Sequence, residues 1–417
     1  MRNFRFLCKR ISIWIILTLQ ILLIASYFLL QTENPKAAEE ANVRFITVGN
    51  TLPKQNKLTY HTIHSRIKLH QTESSQSFVD FNVSVCYKHG TDLTLMKKSK
   101  VVNWECKCLI GWHGTGCSQP EVIWRAFLSH RSPLSLRGPK KHARRIIYLF
   151  EVNEFTETTT EIRVSEFNNT VDLFVMYENK TNNYFEHKLQ SGFLKDFHYK
   201  ILYVQCSHLN NLWGTVKKSL VNLSEDDVVL ISGLNDIPNS LALQYFKLYD
   251  KWPQPLLFRL RWSVYGFFWV HPNKTALRVG ACSVSYLFDT LKDDITMLGN
   301  QKVNNMDKAL VVGDLNHFGG WMCEYCYESS QLVLRAIENI SNKQLISGDK
   351  VKIDNGYIED LIENGVYVDD TTALLRTHRH QETYFAPPYV KENNWNLRLL
   401  YWSVILLAEE NNKVTLY

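Results

Sequence analysis

The turn that follows one short apolar run is the clearest place for chemistry in this sequence. Residues 228–231 (VVLI) are predicted to form a buried strand, and Asn235 and Asp236 follow closely. Strands of a parallel sheet present ligands at their carboxyl ends, and amide and carboxylate oxygens can bind Mg²⁺ or Mn²⁺. The alternative is an ordinary loop, since Gly, Asn, Asp and Pro are typical of any turn.

Three other side chains could contact a ligand. His317 and Trp321 lie in a glycine-flanked stretch, where an imidazole and an indole could hold a sugar ring. Packing inside the protein is the commoner role of both residue types. Arg261, like Arg259, could face a diphosphate, and an exposed pair with its charges in water is the alternative.

The elements that must position these residues alternate along the chain from about residue 144. Strands are predicted at 146–150, 171–176, 201–204 and 228–231, and helices at 157–167 and about 213–223. This alternation predicts an α/β fold with a parallel sheet. The sequence contains neither a P-loop nor a Gly-x-Gly-x-x-Gly motif, so a phosphate group would have to be bound in another way.

Composition excludes several classes of protein. With 45% hydrophobic and 21% charged residues over 417 positions, the chain is neither disordered nor a multispanning membrane protein. The net charge of +6 comes partly from the N-terminal residues Arg2, Arg5, Lys9 and Arg10. The remainder is only mildly basic, so nucleic acid is not expected as a partner.

Residues 11–30 predict a membrane anchor. They carry no charged side chain and have the length of about 20 residues that a membrane-spanning helix needs. The basic residues before them place the N-terminus in the cytoplasm and the rest of the chain in the lumen. A cleaved signal peptide is the alternative, and Ala37 and Ala38 leave a cleavage site open. Sequons at Asn82, Asn168, Asn179, Asn222, Asn273 and Asn339 agree with a secretory location.

Residues 31–81 are polar, lack a strong helical period and are interpreted as a stem. A cysteine cluster follows, comprising Cys86, Cys106, Cys108 and Cys117. Zinc is conceivable with His113, but an oxidising lumen favours disulfides, whose pairing the sequence leaves open. Structural disulfides are also expected for Cys323 and Cys326, with Cys206 and Cys282 as further partners.

Three stretches between about residues 144 and 389 together resemble the bisecting N-acetylglucosaminyltransferase (N-acetylglucosaminyltransferase III) family. The first is DDVVLISGLNDIP at 226–238, followed by 241–252 and by VYGFFW at 264–269. The second is HFGGWMCEYC at 317–326. The third is YIEDLI at 357–362, continuing to YFAPPY at 384–389.

This resemblance implies a nucleotide-sugar-transferase (GT-A-like) fold with a mixed sheet flanked by helices. It also implies a Golgi enzyme that transfers N-acetylglucosamine from UDP-N-acetylglucosamine to the core β-mannose of an N-glycan, with inversion. Such a reaction needs a base for the acceptor hydroxyl and a positive group, commonly a divalent cation, for the departing diphosphate. Separately, residues 108–117 resemble the C-terminal half of an EGF-like module, which implies the pairs Cys86–Cys106 and Cys108–Cys117.

The sequence departs from the family where the metal is expected. The Asp-x-Asp pair is replaced by Gly233 and Asn235 within the segment Ser232-Gly-Leu-Asn235, so Asp236 is the surviving carboxylate. Asp236 is predicted to be catalytic and, with Asn235, to form a weakened Mn²⁺ or Mg²⁺ site. Asn235, Arg261, His317 and Trp321 are predicted to bind substrate.

The predicted organisation is a cytoplasmic tail (1–10), a transmembrane anchor (11–30), a stem (31–81), a half-EGF element (82–120), a transferase domain (121–400) and a C-terminal tail (401–417). The favoured function is N-acetylglucosaminyl transfer to N-glycans. The alternative is a binding protein of the same fold, in which the catalytic carboxylates have been lost and glycan or partner recognition is retained.

Overall fold

A computed structural model describes residues 20, 44–47, 67–98, 105–130, 134, 136–179, 183–299, 309–339, 353–378 and 382–393. All of these except residue 20 belong to one compact unit, Val43–Tyr417.

The strands are β1 (Arg44–Thr47), β2 (Phe78–Asp80), β3 (Val85–Tyr87), β4 (Trp112–His113), β5 (Gln119–Pro120), β6 (Ile146–Glu151), β7 (Leu173–Asn179), β8 (Ile201–Cys206), β9 (Val228–Ser232), β10 (Asp236–Pro238), β11 (Leu256–Val264), β12 (Gly266–Ser283), β13 (Leu310–Val312), β14 (Gly320–Glu324) and β15 (Leu375–Arg376).

The described helices surround these strands. They are α1 (Leu93–Lys98), α2 (Glu121–Ser129), α3 (Glu157–Phe167), α4 (Tyr184–Gln190), α5 (Leu212–Ser219), α6 (Ser240–Leu248), α7 (Val284–Asp289), α8 (Thr296–Gly299), α9 (Ser330–Asn339), α10 (Asn355–Asn364) and α11 (Pro388–Glu392). Short 3-10 turns lie at Ser74–Ser77, Lys195–Lys200 and Leu209–Asn211.

One mixed sheet dominates the described part of the chain. Its order is β1-β8-β7-β6-β9-β12-β11-β14-β10, with β13 also paired to β11 and β15 to β12. The strands β1, β8, β7, β6 and β9 run parallel to one another, whereas β12 is antiparallel to both β9 and β11. The carboxyl ends of the parallel strands therefore meet at one edge, and an antiparallel half extends the sheet beside β9.

Both faces of the sheet are apolar because helices cover both. Along β6, Tyr148 and Phe150 pack into one core cluster, while Ile147 and Leu149 pack into the other. The first cluster includes α3 and α6, and the second includes α5 and α7. A strand buried on both faces appears in the sequence as a continuous apolar run, which is why the parallel strands were predictable.

The mixed α/β architecture confirms the coarse fold prediction. The helix at Glu157–Phe167 has its predicted bounds, whereas β7 begins at Leu173 and the helix predicted at 213–223 is Leu212–Ser219. Asp172 precedes β7, and it contacts Ile146 twice: its carboxylate accepts from the Ile146 backbone N–H at 2.8 Å, and its own backbone N–H donates to the Ile146 carbonyl at 2.9 Å.

The segment predicted as a stem differs from that prediction. Its β1 strand pairs with β8 at the edge of the main sheet, and its residues Ile67 and Leu69 are buried in the core. Leu69 exchanges two hydrogen bonds with the Asn222 side chain, at 2.9 and 2.8 Å. Ile67 and Leu69 are isolated apolar residues in a polar segment and follow no helical or strand period. The sequence therefore did not predict this contact, because the partner Asn222 lies more than 130 positions away.

The cysteine-rich element contains the two disulfides implied by the EGF-like pattern, Cys86–Cys106 and Cys108–Cys117. It packs on the domain through Tyr87, whose hydroxyl donates to Gln244 at 2.9 Å, and through Ser118, which accepts from the Tyr249 hydroxyl at 2.7 Å. A third disulfide joins Cys323 to Cys326. Among the described residues Cys206 and Cys282 are unpaired and buried, and burial raises the pKa of the Cys206 thiol to about 11.

The predicted anchor at 11–30 lies outside the described residues, apart from residue 20. Within the described ranges, every helix is too short or too polar to cross a bilayer.

Candidate active site

The turn after β9 is built between two strands that fix both of its ends. β9 ends at Ser232, whose hydroxyl hydrogen-bonds the buried Tyr148 hydroxyl at 2.8 Å. β10 begins at Asp236 and pairs antiparallel with β14, and the backbone N–H of Cys323 donates to the Asn235 carbonyl at 2.9 Å. The turn therefore lies where the parallel half of the sheet meets its antiparallel half.

A buried arginine holds the backbone of this turn. Arg163 of α3 is fully buried, and its guanidinium donates to the carbonyl oxygens of Asp236 at 2.9 Å and Gly233 at 2.7 Å. It also donates to the Leu234 carbonyl and stacks over the Phe150 ring at 4.9 Å. Burial lowers the pKa of Arg163, while the Tyr148 and Asp236 side chains oppose that shift. These bonds satisfy carbonyl groups that the turn would otherwise leave without donors.

Asp236 is enclosed within the same turn. Its side chain is 1% exposed, and its Oδ2 accepts from the Gly233 backbone N–H at 2.9 Å. Its Oδ1 is buried and accepts no hydrogen bond from the described residues, although Arg278 Nη2 lies 3.5 Å away. A Cβ at Gly233 would lie 2.9 Å from Asp236 Oδ2, so the glycine allows the carboxylate to fold back on the turn.

The donor set beside Asp236 does not fit a divalent metal. Asn235 is half-buried, and its amide oxygen is buried without a partner in the described structure. Across the described ranges there is no group of three or more His, Cys, Asp or Glu side chains that could hold a metal ion. The turn has one carboxylate, that of Asp236, with the Arg278 guanidinium 3.5 Å from it and the Arg163 guanidinium bound to backbone carbonyls of the turn. Hard divalent cations require several anionic or neutral oxygens.

The other predicted site residues meet at a different place. Arg261 Nη1 and Trp321 Nε1 both donate to the Tyr384 carbonyl, each at 2.9 Å, and the His317 ring packs edge-on against the Tyr384 ring. Arg261 also forms an ion pair with Glu382. His317 is further bonded to Asp314, at 3.2 Å. These contacts join the second and third family-like stretches.

Strand register explains why the predicted residues form two groups. Asp236 pairs with Met322, and Met322 with Trp262, whereas Trp321 pairs with Arg261. Successive side chains of a strand point to opposite faces. Asp236 therefore faces the same side as Met322 and Trp262, while Arg261 and Trp321 emerge on the other side.

A cavity of 560 Å³ adjoins the second group. Arg261, His317 and Tyr384 line one part of it, and Trp262 and Lys274 line another. Aromatic rings beside cationic side chains can hold a sugar by stacking and an anionic group by charge. The cavity is large enough for part of a glycan or a nucleotide.

A second cavity, of 300 Å³, lies at the carboxyl ends of the parallel strands. Phe155, just beyond β6, and Tyr184 supply aromatic rings, while Lys188 and Arg335 supply positive charge. Near this edge, burial raises the pKa of the Glu151 carboxyl, and the Arg163 guanidinium opposes that rise. This edge is where open α/β sheets bind their ligands.

Three residues near the turn were not predicted from the sequence: Arg163, Arg278 and Trp262. Arg163 lies in a predicted helix and Arg278 in a long strand, and neither belongs to a motif. Only the tertiary structure shows that they lie near Asp236, because each is separated from it by at least 26 positions in the sequence.

The chain is similar to curated proteins named β-1,4-mannosyl-glycoprotein 4-β-N-acetylglucosaminyltransferase. It is 28% identical to the rat protein over 333 residues, covering 71% of this chain and 61% of the relative. It is 28% identical to the human protein over 326 residues, covering 69% and 60%, and 27% identical to the mouse protein over 333 residues, covering 71% and 61%. The chain thus spans about three fifths of the length of these relatives. No protein-family model matches it.

The comparison confirms the resemblance seen in the sequence: over about 70% of its length, this chain is similar to proteins named β-1,4-mannosyl-glycoprotein 4-β-N-acetylglucosaminyltransferase.

Proposed function

We propose that the protein transfers N-acetylglucosamine from UDP-N-acetylglucosamine to the core β-mannose of N-glycans, with inversion at the anomeric carbon. The observation that carries this proposal is the similarity to enzymes named for this transfer over about 70% of the chain. The position of the Asp236 turn supports it, because the turn follows the carboxyl end of a parallel strand.

In the proposed reaction the acceptor hydroxyl oxygen forms a bond to the anomeric carbon. The bond between that carbon and the diphosphate oxygen breaks, UDP leaves with the electron pair, and a base accepts the hydroxyl proton. Asp236 is enclosed, so its contribution is to hold the turn and the Arg278 guanidinium in place. Asn235 lies in the turn next to Asp236 and contributes to the donor side, and Arg261, His317 and Trp321 shape the acceptor side.

The proposal includes a GT-A-like fold and a location in the Golgi membrane as a single-pass type II protein. The three disulfides support an oxidising compartment. The uncharged segment at 11–30 supports the anchor. A soluble sugar nucleotide and a glycoprotein acceptor would then meet at the luminal domain.

A second candidate function is glycan or partner binding without transfer. It is favoured by one observation, the absence of carboxylates at Gly233 and Asn235, where a metal-dependent transferase would use them. On this alternative, the cavity lined by Trp262 and Tyr384 would still bind a glycan, but no sugar would be transferred.

The test is a transfer assay with the purified full-length protein, UDP-N-acetylglucosamine and a defined N-glycan that ends in unmodified core branches. Parallel reactions contain EDTA or Mn²⁺, and UDP-galactose replaces the donor as a specificity control. The proposal expects a glycan that is heavier by one N-acetylhexosamine attached to the core mannose. Glycan binding without any transfer or donor hydrolysis, with EDTA or with Mn²⁺, would contradict it and support the binding alternative.

A further inference from the structure

The electrostatic character of the Asp236 turn is opposite to that of a metal site. Arg163 contributes one positive charge beneath the turn, and Arg278 contributes another beside it, while Asp236 contributes one negative charge. A divalent cation at this point would be repelled by two guanidinium groups. A diphosphate would be attracted by the charge that remains.

Arg278 has the geometry of an anion ligand with donors to spare, because its polar side-chain contacts within the described structure are made by Nη2, which donates to Met322 Sδ at 2.7 Å. Its side chain is 49% exposed, and the only acid within ion-pair distance among the described residues is Asp236, at 3.5 Å. Asp236 therefore orients the guanidinium without fully occupying its donors. An arginine held in this way can present two parallel N–H groups to a phosphate.

An aromatic ring, that of Trp262, and a second cationic side chain, that of Lys274, lie close to Arg278. The Arg278 guanidinium lies 5.8 Å from the Trp262 ring, and Lys274 Nζ lies 5.2 Å from the same ring. The indole N–H of Trp262 donates to Glu324 at 2.8 Å, which fixes the ring beside both cations. Since Trp262 and Lys274 also line the 560 Å³ cavity, the two cations lead from the turn into that cavity.

We infer that Arg278 binds the diphosphate of the sugar-nucleotide donor in place of a divalent metal, with Asp236 as its positioning residue. This inference rests on the proposed function, because it concerns the donor of that reaction. As the bond from the anomeric carbon to the diphosphate breaks, the leaving oxygen gains negative charge, and Arg278 neutralises it. Lys274 supplies the second positive charge on the cavity side.

The experiment measures binding of UDP to the purified full-length protein by isothermal titration calorimetry, in EDTA and in Mn²⁺. The wild-type protein is expected to bind UDP equally well in both buffers, with an affinity that falls as salt rises. Arg278→Met should weaken binding at least about tenfold, and Arg278→Lys should recover part of the loss because it restores the charge without the paired donors. Arg137→Met is the matched control, since Arg137 is an exposed arginine outside both cavities.

Equal thermal unfolding temperatures of the variants would show that Arg278→Met still folds, as its exposure predicts. UDP binding that requires Mn²⁺, or binding that Arg278→Met leaves unchanged, would overturn the inference while leaving the proposed function intact. If the wild-type protein fails to bind UDP in either buffer, the proposed function fails, and the inference fails with it.

Discussion

At the scale of single residues, Asp236 connects the turn to its neighbouring cation. Asp236→Ala removes the acceptor for the Gly233 N–H and the partner of Arg278. Transfer is therefore expected to fall by about 100-fold in kcat/KM. Asp236→Asn keeps an acceptor oxygen but loses the charge, so its loss should be smaller. A transfer assay measures both, with the exposed Asp289→Asn as control; wild-type activity in Asp236→Ala would place the site elsewhere.

The contacts of Asp236 also limit where carboxylates can be introduced at Gly233 and Asn235, the two positions at which the family has Asp. Gly233→Asp would bring a Cβ to 2.9 Å from Asp236 Oδ2, so the Asp236 carboxylate would have to move. Asn235→Asp creates no such contact in the described structure and is the simpler substitution with which to look for a gain of Mn²⁺-dependent activity.

The sequons differ in how their side chains are used. Asn222 Nδ2 donates to the Leu69 carbonyl at 2.8 Å, whereas Asn273 is exposed on the surface of β12. A glycan on Asn222 would replace one of the two hydrogens on this nitrogen and would push the segment at Leu69 away. Glycopeptide mass spectrometry of the folded protein should find Asn273 occupied and Asn222 empty. High occupancy at Asn222 would contradict the packing of Leu69.

At the scale of elements, Arg163 ties α3 to the turn between β9 and β10. Arg163→Met keeps an apolar side chain of similar length but leaves the carbonyls of Gly233, Leu234 and Asp236 without their donor. The free energy of unfolding should fall by about 2–4 kcal/mol, because buried unsatisfied carbonyls are costly. Urea unfolding measures the change against the exposed Arg335→Met. A difference below about 0.5 kcal/mol would show that the turn does not depend on Arg163.

The β7–β8 pair contains a buried carboxyl with its own pH dependence. Burial raises the pKa of Glu178 from 4.5 to about 7, although the Tyr203 hydroxyl, at 2.5 Å, stabilises the carboxylate. Because the folded pKa exceeds the unfolded one, the folded state binds more protons, and Glu178 lowers stability progressively as pH rises from about 4.5 to about 7.

Glu178→Gln should therefore be more stable relative to the wild type at pH 8 than at pH 4, by on the order of 2 kcal/mol. Thermal unfolding at both pH values measures this difference, and the exposed Glu225→Gln serves as the control. A wild-type advantage that grows with pH would reverse the sign and refute the assignment to Glu178.

At the scale of the whole molecule, the chain is predicted to place everything after about residue 31 in the lumen. The basic residues before the uncharged 11–30 segment set this orientation. In sealed microsomes, added protease should therefore leave the large domain intact and remove an N-terminal epitope tag. Detergent should expose the whole chain to digestion. Digestion of the domain in sealed vesicles would contradict the topology, and loss of the tag during biosynthesis would indicate a cleaved signal peptide.

The sequence by itself determined the features that depend on neighbours along the chain. The parallel strands are continuous apolar runs, so 146–150 and 228–231 were recognisable without any partner. The turn at Asn235 and Asp236 was found for the same reason, because it follows such a run. The short loops of the cysteine cluster, compared with an EGF-like pattern, implied the two pairs that the structure contains.

Only the tertiary structure decided which of these residues meet. Arg163 and Arg278 reach Asp236 from α3 and β12, and nothing in the local sequence of either element indicates that contact. Strand register placed Trp321 and Asp236 on opposite faces, because a shift of one residue reverses the direction of a side chain. The core positions of Ile67 and Leu69 were likewise set by distant partners, since isolated apolar residues in a polar segment carry no period of their own.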